Sequence, residues 1–151
     1  MVLVENKKAK LNFEILEKFI AGILLKGFEV KALKLKKGSL EGSYISIKNN
    51  EAFLVGATIS PYQEKNTPSD YNPQRERKLL LKKKEIIYLL SKKKSKKLIL
   101  LPLSFLLKRN LIKLEFALAK PLKKYDKREK IKEREEKRRL KKLKNFNFEN
   151  F

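Results

Sequence analysis

The sequence predicts a mainly β fold, a small and partly closed antiparallel barrel with flanking helices and a basic C-terminal tail. Two hairpin patterns support this fold class. Residues 43–48 and 51–59 flank Asn49-Asn50, a dipeptide typical of tight hairpin turns. Residues 112–118 alternate apolar with other side chains, and we expect them to pair with the apolar residues 98–107 across a turn at 108–110.

The remaining body adds strands and one short helix. Leu11, Phe13 and Ile15 alternate with polar neighbours and predict a strand, which continues into the apolar run at residues 21–25. Residues 28–36 are expected to form a short helix. About six strands with local hairpins and an inserted helix indicate an OB-type antiparallel β-barrel. A β-sandwich with one helix fits the same pattern.

One longer helix is expected in the middle of the chain. Asn72 is a suitable N-cap and Pro73 suits the first helical position, so the helix is predicted over residues 73–92. The apolar residues that recur at helical spacing are Leu79, Leu80, Ile86, Ile87 and Leu90. The predicted organisation is a barrel with its inserted helix over residues 1–121, followed by a basic tail over residues 122–151.

The tail is the most distinctive segment. Residues 120–144 hold 14 Lys and Arg against 5 Asp and Glu, so they carry +9 of the net charge of +22. Glu133 with Lys137 and Glu135 with Arg139 are spaced for pairing along a helix. With few apolar residues, this helix has no wide face to dock on the body. We expect it to become helical inside a polyanion, most plausibly RNA, although a solvated charged tail fits its charge equally well.

Length and composition narrow the function further. The chain has 151 residues and a pI near 10.1, which indicates a polyanionic partner, nucleic acid before an anionic membrane surface. The longest apolar run, residues 98–107, is too short to span a bilayer as a helix. The first ten residues are polar and basic and do not resemble an export signal, so a cytoplasmic location is expected.

The residue types that are missing exclude several chemistries. The chain has no Cys and no His, which excludes thiolate nucleophiles, cysteine-ligated zinc and His-based catalytic triads. It also lacks the glycine-rich phosphate loops of nucleotide-binding enzymes. We therefore expect a binding protein without catalytic residues, metal or cofactor.

Basic residues alternate with tyrosines in several places. Lys7, Lys8 and Lys10 form one basic group, Arg75, Arg77, Lys78 and residues 82–84 form a second, and the tail forms a third. Tyr44, Tyr62 and Tyr71 lie among them, and aromatic rings can stack RNA bases while Lys and Arg bind phosphates. These tyrosines could equally be rim residues of the core. Tyr125 lies among charged neighbours, where a stacking role and an incidental one are equally plausible.

Specific motifs follow one another along the chain. They are Asn6-Lys7-Lys8-Ala9, Ala21-Gly22-Ile23, Gly27-x-Glu29-Val30-Lys31, Gly42-Ser43-Tyr44, Pro73-x-Arg75-x-Arg77-Lys78-Leu79-Leu80-Leu81, Glu85-Ile86, Pro102-Leu103, Glu115-x-Ala117-Leu118-Ala119-Lys120 and Lys123-Lys124-Tyr125-Asp126-Lys127-Arg128. In this order and combination the chain resembles the SsrA-binding protein (SmpB) family over residues 6–134.

The resemblance implies an OB-type barrel that binds the tRNA-like domain of transfer-messenger RNA (tmRNA). It implies that the two enter the A site of stalled ribosomes together with elongation factor Tu, which acts through tmRNA. The C-terminal tail would then lie in the small-subunit decoding centre and the empty mRNA channel. The alternative is a basic OB-type ribosomal or ribosome-assembly protein that binds rRNA, which composition alone supports equally.

The resemblance and the basic residues together give two sets of expected RNA contacts. The tmRNA set is Asn6, Lys7, Lys8, Gly27, Glu29, Lys31, Tyr71, Arg75, Arg77 and Lys78. The ribosome set is Lys123, Lys124, Tyr125, Asp126, Lys127, Arg128, Lys132, Arg134, Arg138 and Arg139. Glu29 is expected to orient Lys31 or to accept a hydrogen bond from an RNA base or 2′-hydroxyl, with a weak surface ion pair as the alternative. Asp126 is expected to cap the tail helix.

Overall fold

The computed structural model describes residues 1–63, 65, 67–122 and 131–140. In chain order its elements are β1 (Val2–Glu5), α1 (Ala9–Asn12), β2 (Phe13–Ile23), α2 (Gly27–Lys34), β3 (Gly38–Ser39), β4 (Tyr44–Lys48), β5 (Glu51–Val55), β6 (Thr58–Ile59), β7 (Arg77–Leu80), α3 (Lys83–Lys96), β8 (Ile99–Lys108) and β9 (Leu111–Pro121). Residues 131–140 are also α-helical.

Seven strands form one antiparallel sheet in the order β1-β8-β9-β2-β7-β5-β4, and β3 pairs with β6 in a small second sheet. The large sheet curls until its edge strand β4 lies against β8. Among the described residues no ladder of hydrogen bonds joins these two strands. The mainly β, OB-like architecture is therefore confirmed, and the barrel is partly closed rather than continuous.

Both predicted hairpins are confirmed. Asn49 and Asn50 have φ angles of 51° and 62°, and Arg109 and Asn110 have φ angles of 48° and 66°. Two consecutive left-handed residues give the turn whose twist matches that of the flanking strands. Asn tolerates this conformation better than most residues, which is why Asn49-Asn50 is a usable sequence signal.

The core lies inside the curl of the sheet. Its fully buried side chains include Leu33 from α2, Leu54 from β5, Phe105 from β8 and Phe116 from β9. Phe116 stacks on Phe19 of β2 with 5.4 Å between the ring centres. Burial of each such side chain stabilises the fold by about 1.5–3 kcal/mol relative to exposure. This core fixes β2, β7 and α2, which position the candidate site.

The predicted helix over residues 73–92 was wrong at its start. Arg77–Leu80 form β7, and the helix α3 begins at Lys83. β7 pairs with β5 on one side and with β2 on the other, so its backbone hydrogen bonds are made across the sheet rather than along a helix. The carboxylate of Glu85 accepts a hydrogen bond of 3.1 Å from the backbone N–H of Lys82, which defines the true helix start.

A second difference concerns the strand predicted over residues 51–59. It is divided into β5 and β6 at Gly56, whose φ of 82° is in the left-handed region that favours glycine. The short helix predicted at residues 28–36 is confirmed as α2, Gly27–Lys34.

Residues 131–140 form a helix in which every residue is exposed. The i,i+4 pairs expected from the sequence lie in this segment. No helix in the described part of the chain is both long and apolar enough to cross a membrane.

Candidate nucleic-acid interface

The carboxylate of Glu29 is the centre of a polar cluster at the start of α2. Glu29 is the third residue of the helix, and its Oε1 accepts a hydrogen bond of 2.8 Å from the backbone N–H of Lys26. This bond satisfies a backbone donor at the helix N-terminus, where negative charge is also stabilised by the helix dipole. The Glu29 side chain is fully buried, so this carboxylate needs charged partners within the protein.

Two arginines that are distant in sequence, Arg75 just before β7 and Arg77 at its start, supply that charge. Arg77 Nε and Nη2 donate to Glu29 Oε2 over 3.0 and 2.7 Å. Arg75 Nε donates to Oε2 over 3.2 Å, and Arg75 Nη2 donates to Oε1. One carboxylate therefore pairs with two guanidinium groups, and the cluster keeps a net positive charge.

The two arginines differ in exposure. Alternation along β7 directs the Arg77 side chain inward, where it is 0% exposed, while the Arg75 side chain is 27% exposed. Arg77 also donates to the backbone carbonyl oxygens of Ala57 and Pro73, over 2.8 and 2.9 Å. Arg77 therefore joins β7 to α2, to Pro73 and to the residue before β6, whereas the Arg75 side chain, whose Nη1 also donates to the carbonyl oxygen of Glu76, is partly exposed.

Tyr71 completes the cluster. Its hydroxyl oxygen lies 2.9 Å from both Glu29 Oε2 and the carbonyl oxygen of Ile59, and it accepts a hydrogen bond of 3.1 Å from Arg77 Nη2. Burial and the bond to Glu29 raise the pKa of the Tyr71 hydroxyl, which keeps it protonated at neutral pH.

The charge state of Glu29 is fixed by the same contacts. Burial alone would raise its pKa, but the hydrogen bonds from Arg75, from the Lys26 backbone and from Arg77 outweigh burial and lower the pKa to about 2. Glu29 is therefore ionised at any physiological pH and holds both arginines in place.

Aromatic rings and cations surround this cluster at the surface. The rings of Phe28 and Tyr71 meet edge to face with 4.8 Å between their centres. Lys26 Nζ lies 5.9 Å from the centre of the Phe28 ring, and Lys31 Nζ lies 5.8 Å from the centre of the Tyr62 ring. We call this region the α2 surface, defined by Lys26, Phe28, Lys31, Tyr62, Tyr71 and Arg75. Half-buried rings beside cations form the combination that binds unpaired bases and phosphates.

The structure brings together six of the residues that the sequence singled out for tmRNA, namely Gly27, Glu29, Lys31, Tyr71, Arg75 and Arg77. Glu29 does not face solvent and is bonded to Arg75 and Arg77 rather than to Lys31, so its expected role as a surface acid was wrong. Arg77 is buried as well. Sequence reasoning missed this buried pair, although a single acid within the apolar stretch of residues 28–33 was a usable signal, since a buried carboxylate requires a partner.

The other expected tmRNA residues lie elsewhere. Asn6 is only 9% exposed, and its Nδ2 donates to the carbonyl oxygens of Leu40 and Pro102. Lys7 and Lys8 are exposed, and Lys8 forms an ion pair of 2.7 Å with Glu41. Lys78 pairs with Glu51 on the outer face of the sheet. The expected tmRNA contacts therefore fall into two groups, those in the cluster at α2 and those outside it.

The expected ribosome contacts divide in the same way. Lys132, Arg134, Arg138 and Arg139 lie in the exposed helix over residues 131–140. Lys123, Lys124, Tyr125, Asp126, Lys127 and Arg128 lie outside the described residues. Within the described residues, no group of three or more acidic side chains is arranged to hold a metal ion.

Comparison with known proteins assigns the chain to a family. The profile of the family described as "SmpB protein" matches residues 3–145. The SsrA-binding protein of Mycoplasmoides gallisepticum is 45% identical over 93% of this chain and 98% of that protein. The SsrA-binding protein of Borreliella burgdorferi is 44% identical over 92% of each chain.

A solved structure agrees with the sequence relatives. A chain from the structure described as "tmRNA-SmpB: a journey to the center of the bacterial ribosome" matches with a TM-score of 0.66 and 37% identity, over 84% of this chain and 92% of that chain. The agreement of sequence, length and fold leads to one conclusion: the chain belongs to the SmpB family of SsrA-binding proteins.

Proposed function

We propose that this protein binds the tRNA-like domain of tmRNA and delivers it to the A site of stalled ribosomes for trans-translation. The observation that carries the proposal is the α2 surface, in which the buried Glu29 holds Arg75 among aromatic rings and lysines. The names of the relatives support the same partner, since they are SsrA-binding proteins and a tmRNA–SmpB structure.

The α2 surface suits RNA for a physical reason. Arg75 is held by two bonds to Glu29 and one to the carbonyl oxygen of Glu76 while its side chain stays partly exposed, so it can meet a phosphate with little loss of side-chain entropy. Lys26 and Lys31 add positive charge beside the rings of Phe28 and Tyr62. RNA with splayed loop nucleotides can use both the phosphate contacts and the aromatic rings, whereas a regular duplex offers phosphates alone.

The tail supplies a second function in this proposal. On a helix with 3.6 residues per turn, Arg134, Lys137 and Arg138 share one face, and that face carries no acidic residue of the 131–140 segment. A basic stripe of this kind can follow the phosphates of the decoding centre and of the empty mRNA channel. A channel already filled by message excludes the helix, so the tail would distinguish stalled ribosomes from translating ones.

The protein would act in the cytoplasm by binding, without catalysis or a cofactor, and would meet elongation factor Tu through tmRNA. The competing function is that of a basic rRNA-binding protein. The two differ in whether the tRNA-like domain of tmRNA is preferred over other structured RNA.

The test is the affinity of the full chain for a tmRNA tRNA-like domain and for an ordinary alanine tRNA, measured across a salt series. Phosphate contacts weaken with salt in both complexes, so a preference that persists at high salt reports specific recognition. We expect the tRNA-like domain to be preferred throughout. Equal affinities that fall together would contradict the proposal and favour the rRNA-binding alternative.

A further inference from the structure

A cleft of about 410 Å³ opens on the side of the molecule where the sheet is not closed. Its apolar lining comes from α1, the start of β2 and the first half of β8, through Ala9, Phe13, Ile99 and Leu101. Its polar lining includes Lys8, Asn12 and Glu41, and the ring of Tyr44 stands beside it. None of the residues of the α2 surface lines this cleft.

The cleft follows from the topology. β4 is an edge strand, and the ladder between β1 and β8 covers Ser104 to Leu106, so the first half of β8 faces β4 without a strand between them. Asn6 spans this gap, because its Nδ2 lies 3.4 Å from the carbonyl oxygen of Leu40 and 3.0 Å from that of Pro102. This buried amide thus ties the segment before β4 to the first half of β8 beside the cleft.

The side chains of the cleft suit a nucleobase. Tyr44 is 53% exposed although it begins a core strand, so its ring is available on the surface for stacking. The apolar lining can cover the flat face or edge of a base that water would otherwise surround. Open strand edges and the Glu41 carboxylate offer hydrogen-bond acceptors for the amino groups of a base.

The charge at the rim favours RNA over an apolar peptide. Lys8 and Glu41 form an ion pair of 2.7 Å, but their side chains are 67% and 63% exposed. A pair this exposed is weak and exchanges easily with other partners. Lys8 can therefore turn to a phosphate while Glu41 turns to a base edge, and the exposed Lys7 and the net charge of +22 attract the same ligand.

We propose that this cleft binds one unpaired RNA nucleotide, with the base stacked on Tyr44, the phosphate on Lys8 and a base amino group on Glu41. The inference deepens the proposed function, because it adds a second contact with the same RNA that is selective for unpaired nucleotides. Bases of a regular duplex remain stacked on each other and cannot enter the cleft. The cleft would therefore bind one loop nucleotide while the α2 surface binds another part of the same RNA.

The first test is the affinity of the full chain for the tRNA-like domain after substitution of Tyr44. Tyr44→Ala is expected to weaken binding about 5- to 150-fold, the range measured for loss of one base–aromatic stack. Tyr44→Phe keeps the ring and should bind like the unchanged chain. Tyr88→Ala is the matched control, since Tyr88 is 39% exposed on α3 and lies outside the cleft. Thermal unfolding of each variant verifies that the fold is retained.

The second test places a reporter in the cleft. The chain has no Trp, so Tyr44→Trp gives one fluorophore whose emission is quenched when a base stacks on it. A hairpin RNA with an unpaired loop should quench this emission, and a blunt RNA duplex of equal charge should bind without quenching it. Equal quenching by both RNAs, or binding of the hairpin with no quenching, would overturn the proposal.

The cleft proposal and the proposed function can be contradicted separately. If the unchanged chain prefers the tRNA-like domain but Tyr44→Ala binds equally well, the cleft proposal is wrong and the proposed function stands. If the unchanged chain shows no preference while the hairpin still quenches Tyr44→Trp, the cleft binds unpaired RNA and the assignment to tmRNA is wrong.

Discussion

The acidic residues of the α2 cluster and of the tail helix lie in opposite environments. The Glu29 side chain is fully buried and accepts hydrogen bonds from two arginines, whereas Glu133, Glu135 and Glu136 lie in a segment where every residue is exposed. In the body, the Glu29 charge is neutralised by Arg75 and Arg77 and holds these arginines in position. In the tail helix, the lysines and arginines are exposed, so their charge is open to a polyanionic partner.

The difference shows that the number of basic residues does not locate an RNA-binding site by itself. Arg77 contributes to the net charge of the chain, but its buried guanidinium fastens β7 to α2. Arg75 shares the carboxylate of Glu29 and still reaches the surface. A charge suits recognition when its position is fixed and its side chain is open to solvent; Arg75 meets both conditions, which is why we propose it as an RNA contact.

The largest expected effect is the loss of the buried carboxylate. Glu29→Gln leaves Arg77 buried without its counter-charge, and removal of one partner of a buried pair destabilises a protein by about 3–5 kcal/mol. Urea unfolding of the two proteins measures the difference. Glu133→Gln is the matched control in the tail and should change the free energy of unfolding by less than about 0.5 kcal/mol. Equal effects of the two substitutions would contradict the difference between the buried Glu29 and the exposed acidic residues of the tail helix.

Low pH should lower the folding stability of the body because Glu29 becomes protonated. The pKa of Glu29 is about 2 in the folded chain and about 4.5 ordinarily, so its contribution to stability is complete above pH 4.5 and is lost as the pH falls toward 2. The contribution is roughly 3 kcal/mol. Urea unfolding of the unchanged chain and of Glu29→Gln, at pH 7 and pH 3, separates the contribution of Glu29 to stability from that of the other carboxylates. The stability difference between the two proteins should shrink at pH 3, and a constant difference would mean that Glu29 is not the titrating group.

Substitution of Arg75 should mainly affect RNA binding, and substitution of Arg77 should mainly affect folding stability. Arg75→Ala leaves Glu29 paired with Arg77, so we expect weaker RNA binding and a salt dependence whose slope is lower by about 1, as for loss of one phosphate contact. Arg77→Ala should instead cause the larger loss of folding stability, because its side chain is fully buried. RNA titration across a salt series and urea unfolding of both variants provide the comparison. Indistinguishable behaviour of the two variants would show that exposure does not divide their roles.

The smallest effect is expected at Gly27. A Cβ built there meets no other atom within 4 Å, and the residue is not in the left-handed region. Gly27→Ala should therefore raise the free energy of unfolding by up to about 1 kcal/mol, because alanine has less conformational freedom in the unfolded chain. If RNA approaches the backbone here, the same variant should bind RNA less tightly. A variant that is more stable and binds RNA equally well would remove Gly27 from the interface.

Much of the fold was predictable from local patterns. Asn49-Asn50 and the alternation of residues 112–118 marked the two hairpins because turn chemistry and burial on one sheet face act over a few residues. The start of α3 was not predictable from Asn72 and Pro73. Residues 77–80 form a strand because β5 and β2 lie on either side of them, and those contacts are distant in the sequence.

The sequence predicted which residues form the candidate site but not how their side chains are arranged. Family motifs indicated Glu29, Arg75 and Arg77, and Tyr71 was singled out as a tyrosine among basic residues. The structure brings these four residues into one cluster. Their division into buried and exposed groups depends on the direction of each side chain, which motif order does not contain. Asn6 shows the same limit, since its bonds to Leu40 and Pro102 join residues 34 and 96 positions away.

In the proposed function the body binds RNA and the tail probes the ribosome, and one measurement tests this division most directly. The chain truncated after Lys124 should bind the tRNA-like domain with nearly the affinity of the full chain and should fail to support tagging on ribosomes stalled at the end of a message. Circular dichroism verifies that the truncated body is folded. Retained tagging, or loss of RNA affinity in a folded truncated chain, would contradict the division between binding body and probing tail.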